Sequence, residues 1–396
     1  MVSKFEPSVT SNRAISSEEM VERFRERQVR RRQELKAPHR KDEGWRFANL
    51  KRQPKLNPDI VASSFSVSSL PDGVSLLSLE EAFRRDAQRV DALLKSLDSE
   101  MGAGWHLAPA LSSESLSAVC FWVEAGTVSR EPIVIERNLE GGDVGAFATL
   151  LFSEDQSSIA VRETLGGSKD SWVGISAIDA GAASHLEYTL SKDTEEDEFL
   201  IHRSHQVGGR DATTRLGLFN YGSGWCRQES SVSMEAPGHS GELFGLNMVG
   251  DEGEVDQRTC QVHSSGRCRS DLLIKNTAFD RGKVIFSGLI DVRDGAHFTD
   301  SFQSCRNLLL SEEAEVNAMP GLEINADQVR CSHGATSGQI DEEELFYLRA
   351  RGISLDRAKH LITLGFALDV AGRFSSEGLK ELIGEEISIN LENREP

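Results

Sequence analysis

Two residue types that bind soft metals stand together near the end of the chain, Cys331 and His333 in "RCSHGATSGQI". If this stretch is a strand, residues two apart leave the same face, so a thiol and an imidazole point the same way. Both groups suit iron, zinc and iron–sulfur chemistry. Two ligands do not complete a site, however, and taken alone the pair reads more readily as a buried Cys beside a hydrogen-bonded core His. Other candidates are weaker. "CQVHSSGRC" offers Cys260, His263 and Cys268 but lacks the fourth ligand of a structural zinc site. His202 and His205 in "IHRSH" are three apart, which on a strand puts them on opposite faces. Cys305 in "SFQSCRNLLL" precedes an apolar run and reads as a strand residue. There is no G-x-S-x-G, no G-x-x-x-x-G-K-[ST] and no H-E-x-x-H, which argues against an α/β-hydrolase, a P-loop ATPase and a zincin.

The elements that must position these residues change character along the chain. Residues 1–116 read as mainly helical. Ser16 and Glu19 form a capping box ahead of a charged stretch from Glu18 to Leu35, and Trp45 and Phe47 follow as anchors for that arm. A second helix is expected from Ser78 to about Met101, with Leu79, Ala82, Phe83, Val90, Leu93, Leu94 and Leu97 at three- and four-residue steps. Over 117–338 the period falls to two, in runs such as "SIAVRETL", "EFLIHRSHQV" and "VIFSGLIDV" separated by Gly, Asp, Asn and Ser. No helix-length pattern interrupts them, so a sandwich, a barrel or a solenoid is expected rather than βαβ layering. The length favours a solenoid, although no short repeat is visible. Residues 339–396 return to helix. Asp341 with Glu344 is the expected cap of one helix and Gly352 its stop, and Ser354 caps the next. This tail is too small for a core of its own, so it must pack on the last β turns or on a partner.

The chain has 396 residues with 44 Lys+Arg against 63 Asp+Glu, a net charge of -19 that argues against nucleic acid or an anionic membrane as partner. The six cysteines show no paired framework, and no run of about 18 apolar residues or apolar leader stands out, so a cytoplasmic protein with free thiols is expected.

The stretches "SDLLIKNTAFDRGKVIFSGLIDV", "QSCRNLLLSEEAEVNAMPGLEINADQVRCSHGATSGQIDEEELFYLRARGIS" and "HLITLGFALDV" resemble the SufB/SufD family of the SUF iron–sulfur cluster assembly system, on its SufD side. "EGWRFANL" resembles the family's N-terminal Trp-Arg-aromatic element. The resemblance implies a right-handed parallel β-helix flanked by helical regions. It also implies a non-catalytic subunit that pairs with a SufB-like paralogue and binds a SufC-like ABC ATPase, ATP being hydrolysed by that partner. His333 matches the family's interface histidine, a ligand of iron or of a transient Fe–S cluster, and Cys331 its neighbouring cysteine. The helices carrying Leu345, Phe346, Tyr347, Arg351, Gly352 and Phe366 are then expected to dock the ATPase. "SEEAEVNAMPGLEI" stands where SufB-type chains carry a cysteine-bearing segment, which sets this chain apart from the principal scaffold. Use of a reduced flavin and formation of a homodimer stay open. So does a second class of function, a metal-dependent or carbohydrate-active enzyme on a β-helix.

Overall fold

A computed structural model describes residues 15–52, 59–98, 103–139, 144–166 and 170–394. From Ser117 the chain winds as a two-sheeted β-solenoid of about seven turns. Each turn lays one strand on each sheet, in parallel with the strand of the turn before. Phe199–Gly208 lies between Ser171–Ala180 and Trp225–Met234, while Thr213–Gly222 lies between His185–Thr194 and Ser240–Val249. Of the expected runs, "SIAVRETL" and "VIFSGLIDV" fall within the strands Ser158–Leu165 and Lys283–Val292, and "EFLIHRSHQV" begins one residue ahead of Phe199–Gly208. The step from turn to turn is uneven. Leu200 pairs with Trp172, 28 residues back, and with Cys226, 26 on, whereas Lys283 pairs with Glu315 across 32.

Stacking in register turns the alternating pattern into columns. Tyr188, Leu216, Leu243 and Leu272 form one apolar column inside the solenoid. Beside it runs a polar one, in which the Nδ2 of Asn220 donates to Asn247, Asn247 to Asn276 and Asn276 to Asn307, each at 2.6 Å. Such a ladder satisfies amides that would otherwise be costly to bury.

Both outer faces are also covered, which is why many strands are buried along their whole length. On one sheet Phe24, Phe83, Leu94 and Leu107 from the N-terminal helices pack over Leu150, Val173 and Ile175. Trp45 fulfils the expected anchoring role, buried and stacked 6.5 Å from Trp225. On the other sheet Phe374 wedges against Phe219 and Phe244 at 6.2 and 5.9 Å, between the helices Leu355–Leu368 and Glu377–Glu392. The C-terminal tail therefore packs on the flank of the middle turns, because the apolar stripe Phe219, Phe244, Leu246 and Leu273 lies there, and not on the last turns.

Other differences are local. The helix expected from Ser78 is two, Leu79–Arg85 and Ala87–Ser96, because the Asp86 carboxylate accepts the Arg89 amide at 3.0 Å and caps a new start. Its expected end at Met101 lies outside the described residues. The Asp341 cap bonds Glu343 N at 2.7 Å, and that helix ends at Arg349, ahead of Gly352 with its φ of 85°. Short strands precede the helices: Ser64–Val67 and Val74–Leu77 pair antiparallel with the first solenoid strands and close that end. At the far end, Glu315–Ile324 and Arg330–Gly338 are the outermost strands of their sheets.

Candidate functional site

The far end of the solenoid brings the sequence candidates into one place. Arg330–Gly338 pairs with Asp300–Leu309 so that Cys331 lies over Ser301, His333 over Gln303, Ala335 over Cys305 and Ser337 over Asn307. The lower four are buried. Cys331 and His333 thus continue columns that face the interior, and the same-face expectation holds. They differ in cover. Cys331 is half-buried at a corner beside Ile290, Val292 and Ala296, while His333 is exposed because, among the described residues, no turn lies above it. Burial pushes the Cys331 thiol up, partly offset by a hydrogen bond with the Ser301 backbone.

Across the mouth, Val316, Ala318, Pro320, Leu322 and Ile324 continue the column of Val284, Phe286, Gly288, Ile290 and Val292. The end is therefore an apolar mouth with two soft ligands on one side. It is bordered by two strand edges whose outward N–H and C=O groups pair with no further strand among the described residues. Pro320, which has no N–H, sits mid-strand, a placement that edge strands tolerate.

The remaining candidates fall elsewhere. Cys305 is fully buried one turn beneath Ala335, and burial pushes its thiol up to about 12, which keeps it protonated and unreactive. Cys260, His263 and Cys268 do not converge. His263 Nε2 bonds Ser270 Oγ at 2.8 Å, and Cys268 packs with Val232 and Met234. His202 Nε2 bonds Ser176 Oγ at 2.8 Å beneath the Phe147 ring, and His205 Nδ1 bonds Ser231 Oγ at 2.9 Å. Among the described residues no three His, Cys, Asp or Glu are grouped to hold a metal by themselves.

The C-terminal candidates divide. Helix Glu342–Arg349 buries no residue; Phe346 and Tyr347 are 75% and 56% exposed, Leu345 is half-buried, and the Arg351 guanidinium lies 3.5 Å from the Tyr347 ring centre. Phe366 is otherwise engaged. It is half-buried over Lys275, whose Nζ lies 4.4 Å from the ring centre and bonds the Phe366 carbonyl at 2.8 Å and Asp369 at 2.7 Å.

Sequence reasoning missed a buried charge network beneath the N-terminal helices, where Glu229 accepts from Arg203 and Arg227, and Arg227 also pairs with Asp256. Burial alone would raise the Glu229 carboxyl, but the two guanidiniums hold it down at about 2. Glu187 is held at about 2 as well. Burial is opposed there by His185, by the amides of Ser375 and Ser376 at 2.6 and 2.9 Å, and by Arg215. This carboxylate fastens the N-terminus of helix Glu377–Glu392 to the sheet.

The model of the SUF system FeS cluster assembly SufBD core domain matches residues 139–366, more than half of the chain. This chain belongs to the SufB/SufD family. It is similar to the iron–sulfur cluster assembly protein SufD of Escherichia coli, 36% identical over 216 residues that cover 54% of this chain and 51% of that one. The chain thus spans about half the length of that relative. Similarity to SufD of Bacillus subtilis is 28% over 251 residues, covering 61% and 57%. To a SufBD family protein of Mycobacterium tuberculosis it is 25% over 369 residues, 90% of each chain. The SufB/SufD core includes the open mouth, the helix Glu342–Arg349 and most of the helix after it, so the candidate residues all lie inside the family's shared part. The family ties the chain to iron–sulfur cluster assembly in the SUF system. Among the described residues no helix is long and apolar enough to cross a membrane.

Proposed function

We propose that this chain is the SufD-like, non-catalytic half of a two-solenoid scaffold, whose open mouth meets a SufB-like paralogue and supplies His333, with Cys331 beside it, to a nascent Fe–S cluster or its iron. The observation that carries this reading is the last turn itself, with two free strand edges, an apolar interior and two inward-facing soft ligands. An added pair of strands would complete the backbone hydrogen bonding and cover the apolar column. Partner ligands would complete a coordination sphere of which this chain holds half. The cluster is cargo here; its iron binds thiolate and imidazole, and this chain's part is to aim His333 and Cys331 from a rigid strand.

Helix Glu342–Arg349, with Phe346 and Tyr347 turned to solvent, is the proposed seat of a SufC-like ABC ATPase, which hydrolyses the ATP. A cytoplasmic setting goes with this reading. The buried carboxylates Glu163, Glu229 and Asp256 are tied to Arg137, Arg203 and Arg227, which favours assembly over the carbohydrate-active alternative.

The test is reconstitution under anaerobic conditions with purified SufB-like and SufC-like partners from the same organism. His333→Ala is expected to leave folding and complex formation intact and to lower cluster formation by roughly 10- to 100-fold. Unchanged maturation of an Fe–S client enzyme would remove His333 from the site.

A further inference from the structure

At one corner the solenoid turns on a single left-handed residue per coil: Gln156, Ala183, Asp211, Gly238, Arg267, Phe298 and Gln328 have φ between 53° and 78°. The corners stack through backbone bonds such as Ala183 N to Arg210 O and Arg267 N to His297 O, both 2.9 Å. In this conformation the Cβ of an L-residue crowds the carbonyl that follows. Gly escapes the penalty, short polar residues tolerate it, and a bulky side chain is an outlier. Every coil but one places a Gly, an Ala or a polar residue there; the exception is Phe298.

The aromatic ring returns little to the fold. It is 55% exposed, with the Arg267 guanidinium 5.9 Å from the ring centre. The corner itself is well held, with the His297 carbonyl bonded to Arg267 and the His297 ring beside the Asp327 backbone at 3.2 Å. Its coil is the one just beneath the open mouth, and it leads into Asp300–Leu309, where Phe302 stands out at 38% exposure. A strained backbone held in place to present an aromatic outward is the pattern of a binding site rather than of a packing site.

We infer that Phe298 anchors the partner solenoid, its ring entering a pocket on the partner and extending the contact from the mouth around the corner. The occupant follows from the adjoining edges: Glu315–Ile324 and Arg330–Gly338 are the outermost strands among the described residues, and their outward backbone groups are complemented by the strands of another solenoid end. The inference rests on the reading under Proposed function and deepens it by naming an anchor outside the mouth.

The experiment measures the Kd of the full chain for its purified SufB-like paralogue, together with Tm, for Phe298→Asn and Phe298→Gly. Both replacements accept a left-handed backbone. The expected result is a Tm unchanged or higher in both, with binding weakened at least about tenfold. Unchanged Kd overturns the inference, as does a fall in Tm in both variants, which would show that the ring packs within the chain. If the wild-type chain does not bind the paralogue at all, the scaffold reading falls first and the anchor with it.

Discussion

Acid should unfold this protein through its histidines before its ion-paired carboxylates Glu187 and Glu229 are protonated. Burial pushes His202 down from 6.5 to about 3. It pushes His106, His205, His239 and His263 down to about 4, with Arg227 adding to the effect at His106 and His239 adding at His205 and His263. Each folded-state value lies below the unfolded one, so the unfolded chain binds more protons. The stability these groups contribute is therefore full above about 6.5 and is lost as pH falls toward 4. Between pH 7 and pH 5 each costs about 2 kcal/mol, at most about 9 in all, which rivals the whole stability of a typical domain. Glu187 and Glu229, held at about 2, keep their contribution above 4.5 and lose it only below, so they stay silent in the histidine window. Glu254, Asp271 and Glu386 are pushed up by burial and oppose the trend, since they bind protons more readily when folded. The measurement that separates these effects is a urea titration at several pH values, wild type against His202→Gln. The variant should lose about one proton of slope, about 1.4 kcal/mol per pH unit between pH 6 and 4.5. Parallel curves, or a wild-type stability that is flat from pH 6.5 to 5, would refute the reasoning.

Asn247→Ala should destabilise by about 3 kcal/mol, because it removes the middle of the amide ladder and leaves Asn220, Gln257 and Asn276 each short of a bond; a shift in the urea midpoint reads this. Glu187→Gln should loosen the C-terminal helices without unfolding the solenoid, and hydrogen exchange should quicken at Ser375, Ser376 and Leu379 while Leu216 and Leu243 stay protected. The effects expected of His333→Ala on cluster formation and of the Phe298 variants on partner binding complete the set.

The division into helix, strand and helix was readable because each pattern is local. A period of two needs a handful of residues, and a cap such as Ser16 with Glu19 or Ser354 with Arg357 needs four. The same-face placement of Cys331 and His333 was readable for the same reason. Asp86 shows where local reading fails: its neighbours kept helical spacing on both sides, but its carboxylate took the Arg89 amide and started a new helix.

The open mouth, the amide ladder and the strained corner have no local signature. Asn220, Asn247, Asn276 and Asn307 are separated by 27, 29 and 31 residues, and a ladder with uneven steps does not register as a repeat. Whether two residues a turn apart meet depends on the length of every loop between them. Likewise, the strand carrying His333 continues the register of those beneath it, and its exposure follows from its being the outermost strand of its sheet among the described residues. Residue types and short spacings set which side chains are available for chemistry; the cumulative register of the coils decides which become core and which are left facing the next molecule.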